Sequence, residues 1–303
     1  MPQKPVDSWA YNERIVSLSR HARNSLCLAL SFFSALLSRK EIVILTYHSV
    51  GLDSDFDTVK PKEFTRQMEY LERNYAIVPL AEVLEYVSKE RKRPAGRMIS
   101  ITFDDGYQDF YTNAYPFFRE RGLPATVFVA TYYVGKDWPF AEPHHKMLTW
   151  KQIEEISNNN IEIGAHTVTH PNLEQTKLQK AHHEITKSKE EIEKHLGRTV
   201  RFFSYPFGGY TDQILKTVEN AGFEGGVGGF GTVRDRSHLF TLHRVQVDSS
   251  VSFLQFKAHL TKAVDWSGKI EQIVKTLLRR PTANRLVRAA TKMLNQTNRK
   301  VIL

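Results

Sequence analysis

Short apolar runs alternate with segments of helical periodicity from about residue 41 to residue 250, and this alternation constrains the fold most. The apolar runs predict β-strands at residues 42–48, 98–105, 125–131, 161–166, 200–208 and 242–248. The helical patterns fall at residues 61–74, 80–89, 111–122, 150–157, 178–197 and 212–222. Strands that alternate with helices indicate an α/β fold with a parallel sheet or a barrel.

The residue content agrees with one large α/β unit. The chain has 303 residues, of which 41% are hydrophobic, so a sizeable core can be buried. Cys27 is the single cysteine, which excludes an internal disulfide and a thiolate metal site. We found no internal repeat and no long low-complexity linker.

Residues 1–40 are predicted to form an N-terminal helical extension. They contain an uncharged run of 12 residues, LCLALSFFSALL, at 26–37. A membrane-spanning helix needs about 20 apolar residues, so this run is short for one. Three interpretations stay open: a helix that packs on the domain, an interfacial membrane helix, and a poorly formed signal peptide, since no clear cleavage site follows.

Residues 261–303 are predicted to form a basic helical tail after a central domain at 41–260. From residue 262 onward there are ten Lys or Arg and two Asp or Glu, a net charge of +8 out of +9 for the chain. The tail is either a solvated appendage or a basic amphipathic surface for peripheral contact with an anionic membrane or polymer. Because no recognised reading motif accompanies the charge, specific nucleic-acid binding is not expected.

Acidic and imidazole side chains follow two of the predicted strands. Asp104 and Asp105 end one strand and precede Gly106, and two adjacent carboxylates there need a cation or metal to offset their burial. His166 and His170 follow another strand, four residues apart, and two such imidazoles with one carboxylate can hold Zn²⁺. Four other histidines occur in pairs and are interpreted as surface residues: His144, His145, His182 and His183.

Two further segments stand at predicted strand ends. His48 ends the first strand, and SYPFGGY at 204–210 turns the chain where a backbone N–H can face a substrate oxygen. Each of these features alone is common in proteins without a site. All four, however, fall at the carboxyl ends of predicted parallel strands, where α/β folds place their sites.

These segments, taken in order, resemble a known family. TFDDGY, EIGAHTVTHPNL and FFSYPFGGY are similar to the sequential motifs of the polysaccharide deacetylases, the NodB-homology or carbohydrate esterase family 4 proteins, over roughly residues 41–250. The N-terminal ILTYHSV resembles the circularly permuted branch that includes poly-N-acetylglucosamine deacetylases. The resemblance implies a distorted (β/α)₇ barrel with helical N- and C-terminal extensions.

The resemblance also implies roles for individual residues. Asp104 matches the general base and His48 the general acid. The implied metal ligands are Asp105, His166 and His170. The turn that carries Tyr205, Pro206 and Phe207 matches the substrate and oxyanion segment, with the backbone N–H near Phe207 as the donor. The implied cofactor is a divalent metal ion, Zn²⁺ foremost, with Co²⁺ or Ni²⁺ as alternatives.

The third motif departs from the common family pattern. That pattern has an Arg two residues before its Pro, near the catalytic base, whereas this chain has Ser204. Arg244, near the start of the last predicted strand, is the candidate for orienting Asp104 instead. His243 lies where the commoner motif order places its catalytic His. We prefer His48, because TYHSV matches the permuted branch.

The implied activity is hydrolysis of N-acetyl groups on an amino sugar or polysaccharide, with release of acetate and without action on peptide bonds. The alternatives are an O-acetyl esterase on a carbohydrate and a catalytically inactive sugar-binding barrel. The expected partner is an acetylated amino-sugar polymer or oligosaccharide. Chitin-like oligomers, poly-N-acetylglucosamine, peptidoglycan, a lipid-linked precursor and a capsule polymer are all open substrates. We expect a location at the cell envelope or a membrane, with the cytoplasm as the alternative.

Overall fold

The chain folds into a parallel barrel surrounded by helices. The structure is a computed structural model that describes residues 24–31, 42–53, 55, 57–88, 96–140, 145–233, 238–267 and 269–270. The strands are β1 (Ile42–Tyr47), β2 (Ser49–Val50), β3 (Thr58–Val59), β4 (Ala76–Ile77), β5 (Met98–Phe103), β6 (Ala125–Val129), β7 (Ile161–Ala165), β8 (Phe202–Ser204), β9 (Gly225–Phe230) and β10 (Leu242–Gln246).

Seven of these strands close a ring in which every neighbour is parallel. The order is β1, β5, β6, β7, β8, β9 and β10, and β10 pairs again with β1. The short strand β4 pairs with the start of β5, and β2 pairs with β3 in a separate small sheet. The predicted distorted (β/α)₇ barrel is therefore confirmed.

Helices cover the outside of the barrel. They are α1 (Pro61–Asn74), α2 (Leu80–Val87), α3 (Tyr115–Arg121), α4 (Trp150–Ser157), α5 (Leu178–Leu196), α6 (Asp212–Asn220) and α7 (Phe253–His259). The apolar stripe of α1 faces inward: Phe64, Met68 and Leu71, at helical spacing, are all fully buried. The sequence patterns located six of these helices, and the helix at residues 253–259 was not predicted.

The strand β9 was not predicted from the sequence. It reads GGVGGF, and glycine is depleted in strands because it loses much conformational freedom there and has no side chain to pack. The structure shows why glycine is needed. A Cβ atom at Gly226 would lie 2.8 Å from the Phe240 carbonyl oxygen and 3.0 Å from the Tyr205 ring. The glycines of this strand are therefore explained by the close approach of neighbouring groups, and the strand has few of the β-branched and aromatic residues by which strands are usually predicted.

The two predicted extensions are described only in part. Residues 24–31 form a helix, and Cys27 from this helix is buried in the main hydrophobic core of the described residues. At the other end, Leu260, Ala263 and Val264 also belong to that core. Most of the 1–40 extension and the tail from residue 271 lie outside the described residues. Among the residues described, no helix combines the length and the apolar character needed to cross a membrane.

Candidate active site

Side chains from five strand ends meet at the carboxyl edge of the barrel. β1 leads to His48, β5 to Asp104 and Asp105, β7 to the loop with His166 and His170, and β8 to the turn at 205–208. β10 contributes Arg244 from within the strand. Because all barrel strands run in the same direction, their carboxyl ends lie at one rim, and residues as distant in sequence as Thr102 and Arg244, 142 positions apart, come into contact.

Asp105, His166 and His170 form a compact triangle. The Oδ1 atom of Asp105 lies 3.3 Å from the Nε2 atom of each histidine, and the two Nε2 atoms are 3.1 Å apart. These three residues are the one group in the described part of the chain whose ligand atoms are close enough to share a metal ion. All three were predicted as ligands from the sequence, and the structure brings them together.

The polypeptide bends sharply to direct these ligands inward. Asp105, Thr167 and His170 all have positive φ angles, of 70°, 66° and 56°. Non-glycine residues in this region cost on the order of 1–3 kcal/mol and persist where the surrounding structure holds them. Gly106 follows Asp105 with φ 85°, and a Cβ atom there would lie 2.9 Å from Val129. The tight turn that directs both carboxylates to one site therefore requires glycine.

A buried carboxylate on α5 holds the histidine loop. Glu184 Oε2 accepts hydrogen bonds from the backbone N–H groups of Val168 (3.0 Å) and Thr169 (2.8 Å), and Oε1 accepts one from the Thr169 hydroxyl (2.7 Å). The Thr167 hydroxyl accepts a further bond from the N–H of His170. Glu184 was not predicted from the sequence, because a Glu within a charged helix carries no signal of burial.

We expect Glu184→Ala to lower the free energy of unfolding by about 2–3 kcal/mol, because it leaves two partly buried N–H groups and a hydroxyl without their acceptor. Chemical denaturation of the purified protein measures this change. Glu190→Ala on the same helix is the matched control, since Glu190 is exposed and forms a surface ion pair with Lys187. Equal effects of the two substitutions would show that Glu184 does not hold the loop.

Asp104 is paired with Arg244. The guanidinium donates two hydrogen bonds to the carboxylate, one of them from Nη1 to Oδ1 at 2.7 Å, and both side chains are buried. Arg244 also donates to Thr102 (3.1 Å) and to the Ser204 hydroxyl (2.9 Å), which itself donates to Asp104 Oδ2 (3.2 Å). The Arg therefore reaches Asp104 from β10, and Ser204 occupies the place where the family pattern has its Arg.

The site contains two carboxyl groups with lowered pKa values, Asp104 and Asp105, and two imidazoles whose pKa values shift in opposite directions. Burial acts to raise the pKa of Asp104, but the facing Arg244 outweighs it and holds that pKa far below its usual range. Burial lowers the pKa of His170 to about 4, so its imidazole is neutral at neutral pH. For His48, burial acts to lower the pKa, yet the carboxylates of Asp57, Asp105 and Asp104 raise it overall.

His48 and His243 differ in where they lie. The Nδ1 atom of His48 is buried and has no hydrogen-bond partner within the described structure, and the site carboxylates act on its charge. His243 precedes Arg244 on β10, and neighbouring residues on a strand point to opposite faces. Since Arg244 points to Asp104, His243 points away from the site and lies beside Gly229 and Gly231. The geometry thus favours His48 as the histidine near the reacting groups.

The turn after β8 presents one side chain and buries the others. Tyr205 packs in the core against Phe203 and Tyr210, and Pro206 is buried as well. Neither side chain is therefore presented to a substrate, and the expectation of direct contact is restricted to Phe207. That residue has φ 60°, is 74% exposed, and lies with its ring centroid 4.9 Å from that of His170.

The interpretation of the paired histidines as surface residues is half right. His182 and His183 are exposed on α5, and His144 lies outside the described residues. His145, however, is buried between Tyr107 and the carboxylates of Asp53 and Asp55, at 3.7 and 3.4 Å. Asp53 and Asp55 are distant from His145 in sequence, and no local sequence pattern indicates this long-range contact.

The fold and the site together define the class: a parallel α/β barrel with a candidate Asp/His/His metal site and an Arg-paired aspartate at its carboxyl rim. The family profile described as "Polysaccharide deacetylase" matches residues 91–226. The Bacillus subtilis (strain 168) protein YxkH, assigned to the polysaccharide deacetylases, is 31% identical over 221 residues, which cover 73% of this chain and 76% of YxkH. The chain belongs to the polysaccharide deacetylase family.

Other relatives agree with this assignment. The poly-beta-1,6-N-acetyl-D-glucosamine N-deacetylase of Staphylococcus aureus (strain MRSA252) is 30% identical over 181 residues, which cover 56% of this chain and 60% of that protein. The solved structure of the Streptococcus pyogenes deacetylase PplD in complex with acetate has a TM-score of 0.64 and 26% identity, and covers 74% of this chain and 99% of PplD. IcaB from Ammonifex degensii has the same fold, with a TM-score of 0.64 at 24% identity, covering 75% and 97% of the two chains.

Proposed function

We propose that the protein is a metal-dependent deacetylase that removes N-acetyl groups from an acetylated amino sugar within an oligosaccharide or polysaccharide. The observation that carries the proposal is the adjacency of two differently equipped carboxylates. Asp105 faces two imidazole nitrogens at 3.3 Å, whereas Asp104 faces a guanidinium. In this proposal Asp105 binds a metal ion and Asp104 moves a proton, and membership of the deacetylase family supports that division.

The residues present fit a divalent ion. The Oδ1 atom of Asp105 is buried and has no hydrogen-bond partner within the described structure, as expected of an atom that faces a cation. The Nδ1 atom of His166 lies 2.7 Å from the Ser204 carbonyl oxygen, which orients the ring and leaves Nε2 for the ion. Two imidazoles and one carboxylate suit Zn²⁺, with Co²⁺ or Ni²⁺ as substitutes. A bound ion would polarise the acetyl carbonyl and acidify a water molecule.

The protein's own groups would handle the protons. Asp104 accepts the proton of the attacking water, whose oxygen bonds to the acetyl carbon. Arg244 keeps Asp104 ionised and oriented, although it also makes this carboxylate a weaker base. His48 then donates a proton to the leaving nitrogen as the carbon–nitrogen bond breaks. The products are acetate and a free amine on the sugar. The backbone N–H near Phe207 is the candidate donor to the developing oxyanion.

A specific test separates His48 from His243 as the general acid. We expect His48→Ala to lower kcat by about 10²–10³-fold for an N-acetyl sugar, whose amine leaving group must be protonated. The loss should be much smaller for an activated aryl acetate, whose leaving group needs little protonation. His243→Ala is the matched control and should change neither rate substantially. A leaving-group-dependent loss in His243→Ala but not in His48→Ala would contradict this assignment and favour the commoner motif order.

Two other functions are distinguished by substrate. An O-acetyl esterase would use the same residues but would release acetate from O-acetylated sugars and not from N-acetylated ones. An inactive sugar-binding barrel would bind oligosaccharides without releasing acetate at all. Acetate release from matched N- and O-acetylated sugars, measured with the full chain, separates the three functions.

A further inference from the structure

Two exposed aromatic side chains flank the candidate metal site. Phe140 is 62% exposed and Phe207 is 74% exposed, and they are the only exposed phenylalanines among the described residues. Their ring centroids lie 6.2 and 4.9 Å from that of His170. Exposed apolar side chains that cluster beside a site mark a surface that binds a ligand. We call Phe140 and Phe207 together the aromatic platform.

Phe207 is held in an unfavourable backbone conformation that presents its ring. Its φ of 60° and ψ of 7° are left-handed, between the buried Pro206 and Gly208, which has φ 72°. For a residue with a side chain this conformation costs on the order of 1–2 kcal/mol. An exposed phenylalanine gains no burial that would offset this cost within the protein. The conformation is therefore consistent with a role in ligand contact.

Phe140 is held by its neighbours rather than left free. Its ring makes edge-to-face contacts with Trp138, at 5.0 Å and 76°, and with Tyr133, at 5.8 Å and 79°. Trp138 is buried and also contacts the ring of His170 at 5.2 Å. Because the ring is already supported on two sides, little side-chain entropy is lost when a ligand covers its free face.

We propose that the aromatic platform binds pyranose rings of the substrate and thereby selects a sugar chain over a small acetyl compound. A pyranose presents an apolar C–H face, which packs on an aromatic ring, and polar hydroxyl edges, which stay in water. Because two aromatic rings lie beside the candidate metal ligands, one ring can pack on the acetylated sugar and the other on a neighbouring unit of the same sugar chain. This inference rests on the proposed function, since it takes the acetamido group to lie at Asp105, His166 and His170.

The test compares two substrates in variants of Phe140. The substrates are an N-acetylglucosamine oligomer and p-nitrophenyl acetate, which carries the acetyl group without a sugar. We expect Phe140→Ala and Phe140→Leu each to lower the ratio of kcat/KM for the oligomer to kcat/KM for the ester by about tenfold, mainly through KM. Phe140→Tyr keeps the flat ring and should retain the ratio. Leu254→Ala, which removes another exposed apolar side chain (53%) on α7, is the control and should change kcat/KM for neither substrate.

If the ratio of kcat/KM for the oligomer to kcat/KM for the ester is the same in the wild type and in Phe140→Leu, the proposed role of the aromatic platform is wrong. A wild-type protein that releases no acetate from the oligomer would instead overturn the proposed function. A binding measurement distinguishes these two failures. Titration with the oligomer, monitored by the fluorescence of tryptophan, including Trp138 beside Phe140, gives a dissociation constant without requiring turnover. The platform predicts about tenfold weaker binding in Phe140→Ala, and unchanged binding contradicts it.

Discussion

Asp104→Asn is expected to lower kcat by about 10²–10⁴-fold while leaving the metal content unchanged, because it removes the proposed proton acceptor and none of the three candidate ligands. The separation follows from the geometry. Asp104 faces Arg244, Ser204 and Thr102, whereas the neighbouring Asp105 faces the two histidines. Acetate release and metal content, measured on the same preparation, check both halves of the prediction.

The substitution also leaves the buried Arg244 charged without its partner, which costs about 3–5 kcal/mol of stability. Rates should therefore be measured at a temperature where circular dichroism shows the variant to be folded. Asp212→Asn is the matched control, since this carboxylate is exposed at the start of α6. If Asp104→Asn loses metal as fully as Asp105→Asn, then the roles of the two acids are exchanged.

His166→Ala, His170→Ala and Asp105→Ala are each expected to abolish stoichiometric metal binding and to lower turnover by at least about 10³-fold. The three ligand atoms converge on one point, so removal of any one leaves an incomplete set. Metal content after dialysis, determined by mass spectrometry, is the direct readout. His182→Ala is the control, because this histidine is exposed on α5. Full metal occupancy in two of the three variants would contradict the site.

The sequence predicted the features that local patterns encode. Periodic apolar residues located most barrel strands and helices, and the motifs placed Asp104, Asp105, His166 and His170 at strand ends that the structure brings together. Arg244 was a candidate only because the third motif has Ser204 in place of Arg. Its contact with Asp104 joins residues 140 positions apart, and no local pattern could establish it.

The features that escaped prediction depend on tertiary contacts. The strand at Gly225–Phe230 consists mostly of glycine, which is selected by the close approach of Tyr205 and Phe240 rather than by strand propensity. Glu184 looks like any charged helix residue until the histidine loop folds over it. Likewise, His145 is buried against Tyr107, Asp53 and Asp55, which are all distant from it in sequence. In each case the deciding neighbour is distant in sequence.

We propose that Asp105, His166 and His170 hold a metal ion and that the protein uses it to hydrolyse N-acetyl groups on sugars. The most direct measurement is acetate release by the full chain from a panel of N-acetylated amino-sugar oligomers, before and after chelation, and again after Zn²⁺ or Co²⁺ is restored. We expect release from at least one oligomer, its loss on chelation, and its recovery with metal. Full activity in a rigorously metal-free preparation, or release from O-acetylated sugars alone, would contradict the claim.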